Sequence, residues 1–158
     1  MNFEIQAATL RDAKAVAAIH AGTVAPTLES LAFWRDAIEF GEPQVMLARE
    51  ADKVIGFVGF DRSRDPKTKP TAGEIWALYV LPAYWDQGVG LALWDAAREG
   101  LVDEGCTQVT VWLAVANERA MRFVQLAGFK REMSSLKTVP VGNTDTRVEE
   151  IRLKRDLA

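Results

Sequence analysis

The sequence predicts an α/β fold: a mixed, largely antiparallel sheet flanked by about four helices, in one domain spanning residues 1–158. Three observations carry this. Short apolar segments of strand character alternate with segments whose apolar residues recur at helical spacing. The length suits one domain with a proper core, and no repeat, low-complexity tract or linker divides it. The stretch Glu74 to Ala97 reads as strand, proline corner, glycine turn and helix, a unit typical of α/β chains.

The elements follow in order. Phe3 to Ala7 reads as a strand, and Thr9 with Asp12 marks a helix start, Asp standing in for the Glu or Gln of a capping box. That helix carries Leu10, Val16 and Ile19 on its apolar side and ends near Gly22. Pro26-Thr27 opens a second helix through about Phe40, stopped by Gly41 and Pro43. Gln44 to Arg49 and Lys53 to Asp61 flank Ala51-Asp52 as a hairpin, and Arg62 to Ala72 is a polar, Pro-containing loop. Ile75 to Leu81 is an apolar strand ended by Pro82, because proline cannot donate to a sheet ladder. Val89, Leu93, Trp94, Ala97 and Leu101 then mark the buried side of a third helix. Gln108 to Leu113 is a strand, Asn117 to Ala127 a helix closed by Gly128, and Phe129 to Val139 and Arg147 to Leu153 are strands joined by Pro140 to Thr146.

The turn Gln87-Gly88-Val89-Gly90 is the most informative local feature. A glycine turn feeding a helix start leaves several N–H groups without intrahelical partners, at the positive end of the helix dipole. The missing Cβ atoms at Gly88 and Gly90 allow close approach of a phosphate. A purely structural turn is the competing reading. Two other phosphate loops are excluded: Leu93 stands where a dinucleotide fingerprint needs its third glycine, and no Gly-Lys-Ser/Thr follows.

Composition narrows the class of function. A net charge of -3 without a basic patch argues against nucleic acid as a partner. The N-terminal stretch lacks the pattern of a secretory signal, and no apolar run is long enough to cross a bilayer. Cys106 is the only cysteine, which excludes an internal disulfide and points to a cytoplasmic protein. One histidine, His20, and one cysteine do not assemble a zinc cluster, so no metal is expected.

The strand–Pro–glycine-turn–helix block resembles the acetyl-CoA-binding motif of the GNAT superfamily of N-acetyltransferases. In that motif a segment of type R/Q-x-x-G-x-G/A holds the pyrophosphate. Val111 to Phe129 (VWLAVANERAMRFVQLAGF) resembles the family's next motif, and Ile5 to Asp12 its usual first strand and helix start. The resemblance covers most of the chain in the family's order. It implies acetyl-CoA as co-substrate and an amine of a small molecule or of a peptide or protein as acceptor, with a homodimer as a further option. It places the pantetheine arm on main-chain groups of Leu78, Tyr79 and Val80, and the pyrophosphate on the N–H groups of Gln87, Gly88, Val89, Gly90 and Leu91. Phe123 falls in the cofactor-contacting motif, and Asn117 is either a cofactor contact or a helix N-cap.

Acyl transfer from a thioester to an amine needs positioning, a proton acceptor and release of a thiolate. Glu74, fourteen residues before Gly88, matches the position of a catalytic Glu in some family members. Strand alternation places it on one face with Trp76 and Leu78, where burial would raise its pKa into a useful range. The alternative is an exposed acid at a strand start. Trp76 lines an acceptor pocket or simply belongs to the core.

The chain departs from the family pattern in two places. Trp85 and Asp86 stand where Arg or Gln and a Gly are common. More consequentially, Val124 replaces the Tyr that many members use as general acid toward the CoA sulfur. A thiol with a pKa of roughly 8.5 leaves tolerably without help, so the substitution slows the reaction without forbidding it. It also keeps open a second reading: a CoA-binding, catalytically silent domain acting as a sensor or interaction module.

Overall fold

The computed structural model describes residues 2–22, 26–65 and 68–157. Among these lie seven strands and four α-helices: β1 (Glu4–Ala7), α1 (Ala13–Ala21), α2 (Leu28–Phe40), β2 (Gln44–Glu50), β3 (Lys53–Arg62), β4 (Ala72–Val80), α3 (Val89–Asp103), β5 (Gln108–Ala114), α4 (Glu118–Leu126), β6 (Lys130–Pro140) and β7 (Arg147–Asp156). Two compact units divide the chain: Met1–Asp61 with Ile75–Gly105, and Arg62–Glu74 with Cys106–Ala158.

In the first unit the strand order is β1-β2-β3-β4. β1 and β3 both pair antiparallel to β2, with a bulge at Ala48/Arg49. The entry to α1 is built as the sequence predicts, with one refinement: Leu10–Asp12 is a 3-10 turn and the α-helix begins at Ala13. The Thr9 N–H donates to the Asp12 carboxylate at 2.9 Å, so Asp does serve in place of Glu. Burial opposes ionisation of Asp12. The Thr9 donors and the Arg49 guanidinium 2.7 Å away more than offset it, so its carboxyl lies below the usual range. This pair ties the start of α1 to β2. Leu10, expected on the apolar side, is exposed because the 3-10 turn rotates it off the helix face.

Thr27 caps α2, its Oγ1 accepting from the Ser30 N–H at 3.1 Å, and Gly41 closes the helix at φ 67°. Val16, Ala17, Trp34, Ala37, Leu47 and Phe57 form the heart of this unit's core, joined by Ala77 of β4. Gly100 of α3 sits where a Cβ would come within 2.6 Å of the Phe60 ring, so the helix lies close on that side chain. The apolar stripe predicted for α3 is buried at all five positions.

In the second unit β5, β7 and β6 are neighbours in that order, both pairings antiparallel. The β6–β7 register shifts between Glu132 and Lys137, and the Ser135 hydroxyl fills the irregularity by accepting the Arg152 N–H at 2.9 Å. Val109, Val111, Ile151 and Leu153 supply buried strand residues, and Met121, Val124 and Phe129 the buried side of α4 and its exit. The Arg62 to Ala72 loop is shorter than expected, since β3 runs to Arg62 and β4 starts at Ala72.

Candidate functional site

The first unit carries the glycine turn. Pro82–Tyr84 forms a 3-10 turn after β4, and the chain reaches α3 through two left-handed residues, Asp86 at φ 61° and Gly88 at φ 84°. Left-handed backbone explains why glycine is common at position 86. Asp is among the few other residues that tolerate it. The first bond of the α3 ladder is Ala92 N–H to the Gly88 carbonyl at 3.0 Å. The N–H groups of Val89, Gly90 and Leu91 therefore precede the ladder, as an anion site requires. A Cβ at Gly88 would meet open space, so the main chain is approachable there.

β4 presents its main chain selectively. The Leu81 N–H donates to the Ile55 carbonyl at 2.9 Å, and the Tyr79 carbonyl lies 2.8 Å from where a Gly56 Cβ would stand. Tyr79 and Leu81 thus turn their main-chain groups toward β3, and by alternation Leu78 and Val80 turn theirs the opposite way. Of the three residues expected to hold the pantetheine arm, Leu78 and Val80 therefore turn their main chain away from β3 and Tyr79 turns its main chain toward β3. The Val80 carbonyl accepts the Trp85 indole N–H at 2.8 Å. Trp85 therefore folds onto the strand end, and Gln87 folds back to donate to the Ala83 carbonyl at 3.2 Å.

The same unit holds a cavity of about 410 Å³ walled by His20, Phe33, Trp34, Trp76 and Ala77, with Thr27, Glu29 and Ser30 along one side. Its rings contact one another. Phe33 packs edge-on to Trp34 at 4.9 Å and faces Trp76 at 6.3 Å with 29° between the planes. His20 meets Trp34 at 5.4 Å and Tyr79 at 5.2 Å, both edge-on. Desolvation by these rings holds the His20 imidazole below its ordinary pKa, so it is neutral near pH 7. Of this cavity the sequence singles out Trp76 as a pocket residue, and it names Gly22 to Phe40 only as a segment that shapes the acceptor site, without single residues. The adjacent Phe33-Trp34 pair on α2 is the available signal for the rest, but a helical pattern alone assigns such rings to the core.

The second unit holds Glu74, Asn117 and Phe123. Glu74 is half-buried and accepts a hydrogen bond from the Ser63 hydroxyl at 3.3 Å. Burial, followed by the charge of Asp65, raises its pKa, while Ser63, Arg152 and Arg64 oppose the shift. Asp65 is itself held in place: it accepts from the Trp112 indole N–H at 2.8 Å and from Arg152 at 3.1 Å. Arg152 also pairs with Glu132, and Lys137 lies 4.0 Å from the centre of the Trp112 ring. Sequence reasoning missed Asp65 and Arg152, which lie 87 residues apart. Asn117 is the N-cap of α4, its Oδ1 accepting the Ala120 N–H at 3.2 Å. Phe123 is half-buried, and Val124 is buried as a packing residue.

The Acetyltransferase (GNAT) family model matches residues 10–129, a span that holds all four helices and the glycine turn. A mycothiol acetyltransferase from Kocuria rhizophila is 30% identical over 83 residues, 52% of this chain and 27% of that protein. The chain spans between 27% and 62% of the length of the curated relatives it matches. Among solved structures, an N-acetyltransferase from Staphylococcus aureus Mu50 superposes with a TM-score of 0.82 at 19% identity, covering 100% of both chains. A GNAT-superfamily phosphinothricin acetyltransferase from Sinorhizobium meliloti, solved in complex with acetyl-CoA, gives 0.78 at 16% identity over 99% of this chain and 89% of that one. These likenesses show the predicted α/β fold. With the fold shared end to end and the family model matched across most of the sequence, the chain belongs to the GNAT acetyltransferase family.

Proposed function

We propose that this chain moves an acetyl group from acetyl-CoA to the amine of a small molecule or peptide by direct attack. The turn into α3 carries the reading: a left-handed Gly88 with open space at its Cβ, followed by N–H groups that precede the helix ladder. The N–H groups of Gln87 through Leu91 would hold the pyrophosphate, and the main chain of Leu78 and Val80 would orient the pantetheine arm. Asn117 uses its Oδ1 as a cap, so its contact with the arm falls to Nδ2. Phe123 is assigned to the same arm. The bound thioester supplies the acetyl group.

Glu74 is assigned as proton acceptor. Its raised pKa supports the role, because a base whose pKa approaches working pH is the more effective. The C–N bond forms as the C–S bond breaks, and the amine proton passes to Glu74, directly or through one water. Val124 has no proton to give, so the thiolate is protonated by water. The family match crosses both compact units, which supports one working domain over residues 1–158. No helix among the described residues is long and apolar enough to cross a membrane. Together with the buried lone Cys106, this favours the cytoplasm as its compartment.

Binding is tested by thermal unfolding. Acetyl-CoA should raise Tm, because a ligand that binds only the folded state stabilises it by mass action. Gly90→Asp should abolish the shift by placing bulk and negative charge at the pyrophosphate site. An unchanged shift in the variant rules out this turn as the site. A normal shift without acetyl transfer to any amine would favour the silent, CoA-sensing reading.

A further inference from the structure

We propose that the cavity of the first unit selects the acceptor, and that the acceptor is an amine tethered to a planar aromatic ring and free of anionic groups. The inference rests on the acetyltransferase reading and adds the substrate class to it.

The cavity chemistry argues for each part. At about 410 Å³ it matches small-molecule pockets in size, and a peptide chain would need a longer groove. Phe33 stacks on Trp76 at 6.3 Å with 29° between the planes and meets Trp34 edge-on, Trp34 having only 3% of its surface exposed, so the wall is a contiguous set of rings. Flat π surfaces arranged in this way favour a flat guest, which gains ring contacts that a flexible alkyl chain cannot make. The ring faces and the Glu29 carboxylate favour positive charge. No Lys or Arg lines the cavity among the described residues, so a carboxylate or phosphate on the acceptor would meet the Glu29 carboxylate and no cation to balance it. Thr27 Oγ1 accepts the Ser30 N–H, and its remaining O–H is a neutral donor that does not balance a full negative charge. Glu29 and Phe33 are exposed, which makes both suitable for substitution without loss of the fold.

The test is calorimetric titration of the full chain, without acetyl-CoA, with three amines. 2-Phenylethylamine carries the ring alone, hexylamine a chain of similar reach, and phenylalanine the same ring with a carboxylate. 2-Phenylethylamine should bind at least about tenfold more tightly than either of the others. Phe33→Ala should remove most of that preference over hexylamine. Glu29→Lys should narrow or reverse the preference over phenylalanine. Equal or tighter binding of hexylamine or phenylalanine, no binding of any of the three, or indifference to Phe33→Ala would overturn the proposal. The acetyl-CoA thermal shift, run on the same variants, separates the two claims. Its loss in the parent chain sinks the acetyltransferase reading, whereas its persistence with failed amine selection sinks only the acceptor class.

Discussion

The two compact units each hold a titratable group whose pKa the fold moves, and they move it in opposite directions. In the first, His20 sits among rings, and desolvation lowers its pKa so that the neutral imidazole prevails. In the second, Glu74 sits among charges, and burial together with Asp65 raises its pKa while Arg152 and Arg64 restrain the rise. Burial favours the neutral form in both cases, which is why one shift goes down and the other up. A neutral histidine near pH 7 is already an acceptor but one with less basicity than a free imidazole. A carboxylate with a raised pKa has gained basicity. The assignment of Glu74 as base rests on its place at the family's catalytic position, and His20, which lines the ring-walled cavity, is assigned to the wall of the proposed acceptor site.

The contrast breaks most sharply on turnover. With 2-phenylethylamine as acceptor, Glu74→Gln should lower kcat by about 10²-fold or more while leaving the acetyl-CoA thermal shift in place. His20→Gln should act mainly on KM and leave kcat within a few-fold. The acidic limb of the kcat profile should vanish in the Glu74→Gln variant only. If instead His20→Gln removes the limb and the rate, the assignment of the base is reversed.

A smaller effect is expected at position 124. Val124→Tyr restores the phenol that many relatives use toward the CoA sulfur, so turnover should rise or stay level. Val124 is 9% exposed, and enlarging a packed site typically costs about 1–3 kcal/mol, so Tm should fall at the same time. A drop in turnover with Tm unchanged would mean that the phenol obstructs the site, which would count against the assigned alignment of α4 with the family motif.

The smallest effect lies in stability against pH, where the two residues should have opposite slopes. His20 is depressed below 6.5, so the unfolded chain binds its proton more readily. Its contribution to stability is complete above that value and is lost as pH falls below it. Glu74 is raised above 4.5, so the folded chain holds its proton longer. Its contribution is complete below 4.5 and is lost as pH rises through the raised folded value. Denaturation midpoints measured across pH 4 to 7 should therefore flatten on the acid side in His20→Phe, and Glu74→Gln should gain stability at neutral pH. Parallel changes in the two variants would remove the physical basis of the contrast.

Much of this architecture was legible because its signals are local. Gly22, Gly41, Gly88 and Gly128 all adopt positive φ, three of them directly after a helix or its C-cap and Gly88 ahead of one. Thr27 and Asn117 cap the helices they precede, and the α3 stripe is buried as its spacing demands. The turn that opens α3 belongs to this class, since glycine spacing and helix onset lie within a few residues of each other.

The order of elements and the glycine turn that opens α3 are thus written in the chain itself, because backbone sterics and helix periodicity act over one or two turns. Folding supplied the rest. It rotated Leu10 into solvent, directed the main chain of Leu78 and Val80 one way and that of Tyr79 the other, and stacked Phe33 on Trp76. It brought Arg152 to Asp65 across 87 residues, which no spacing rule records. A pKa or a cavity depends on what folding places around a group, and that environment comes from distant parts of the chain.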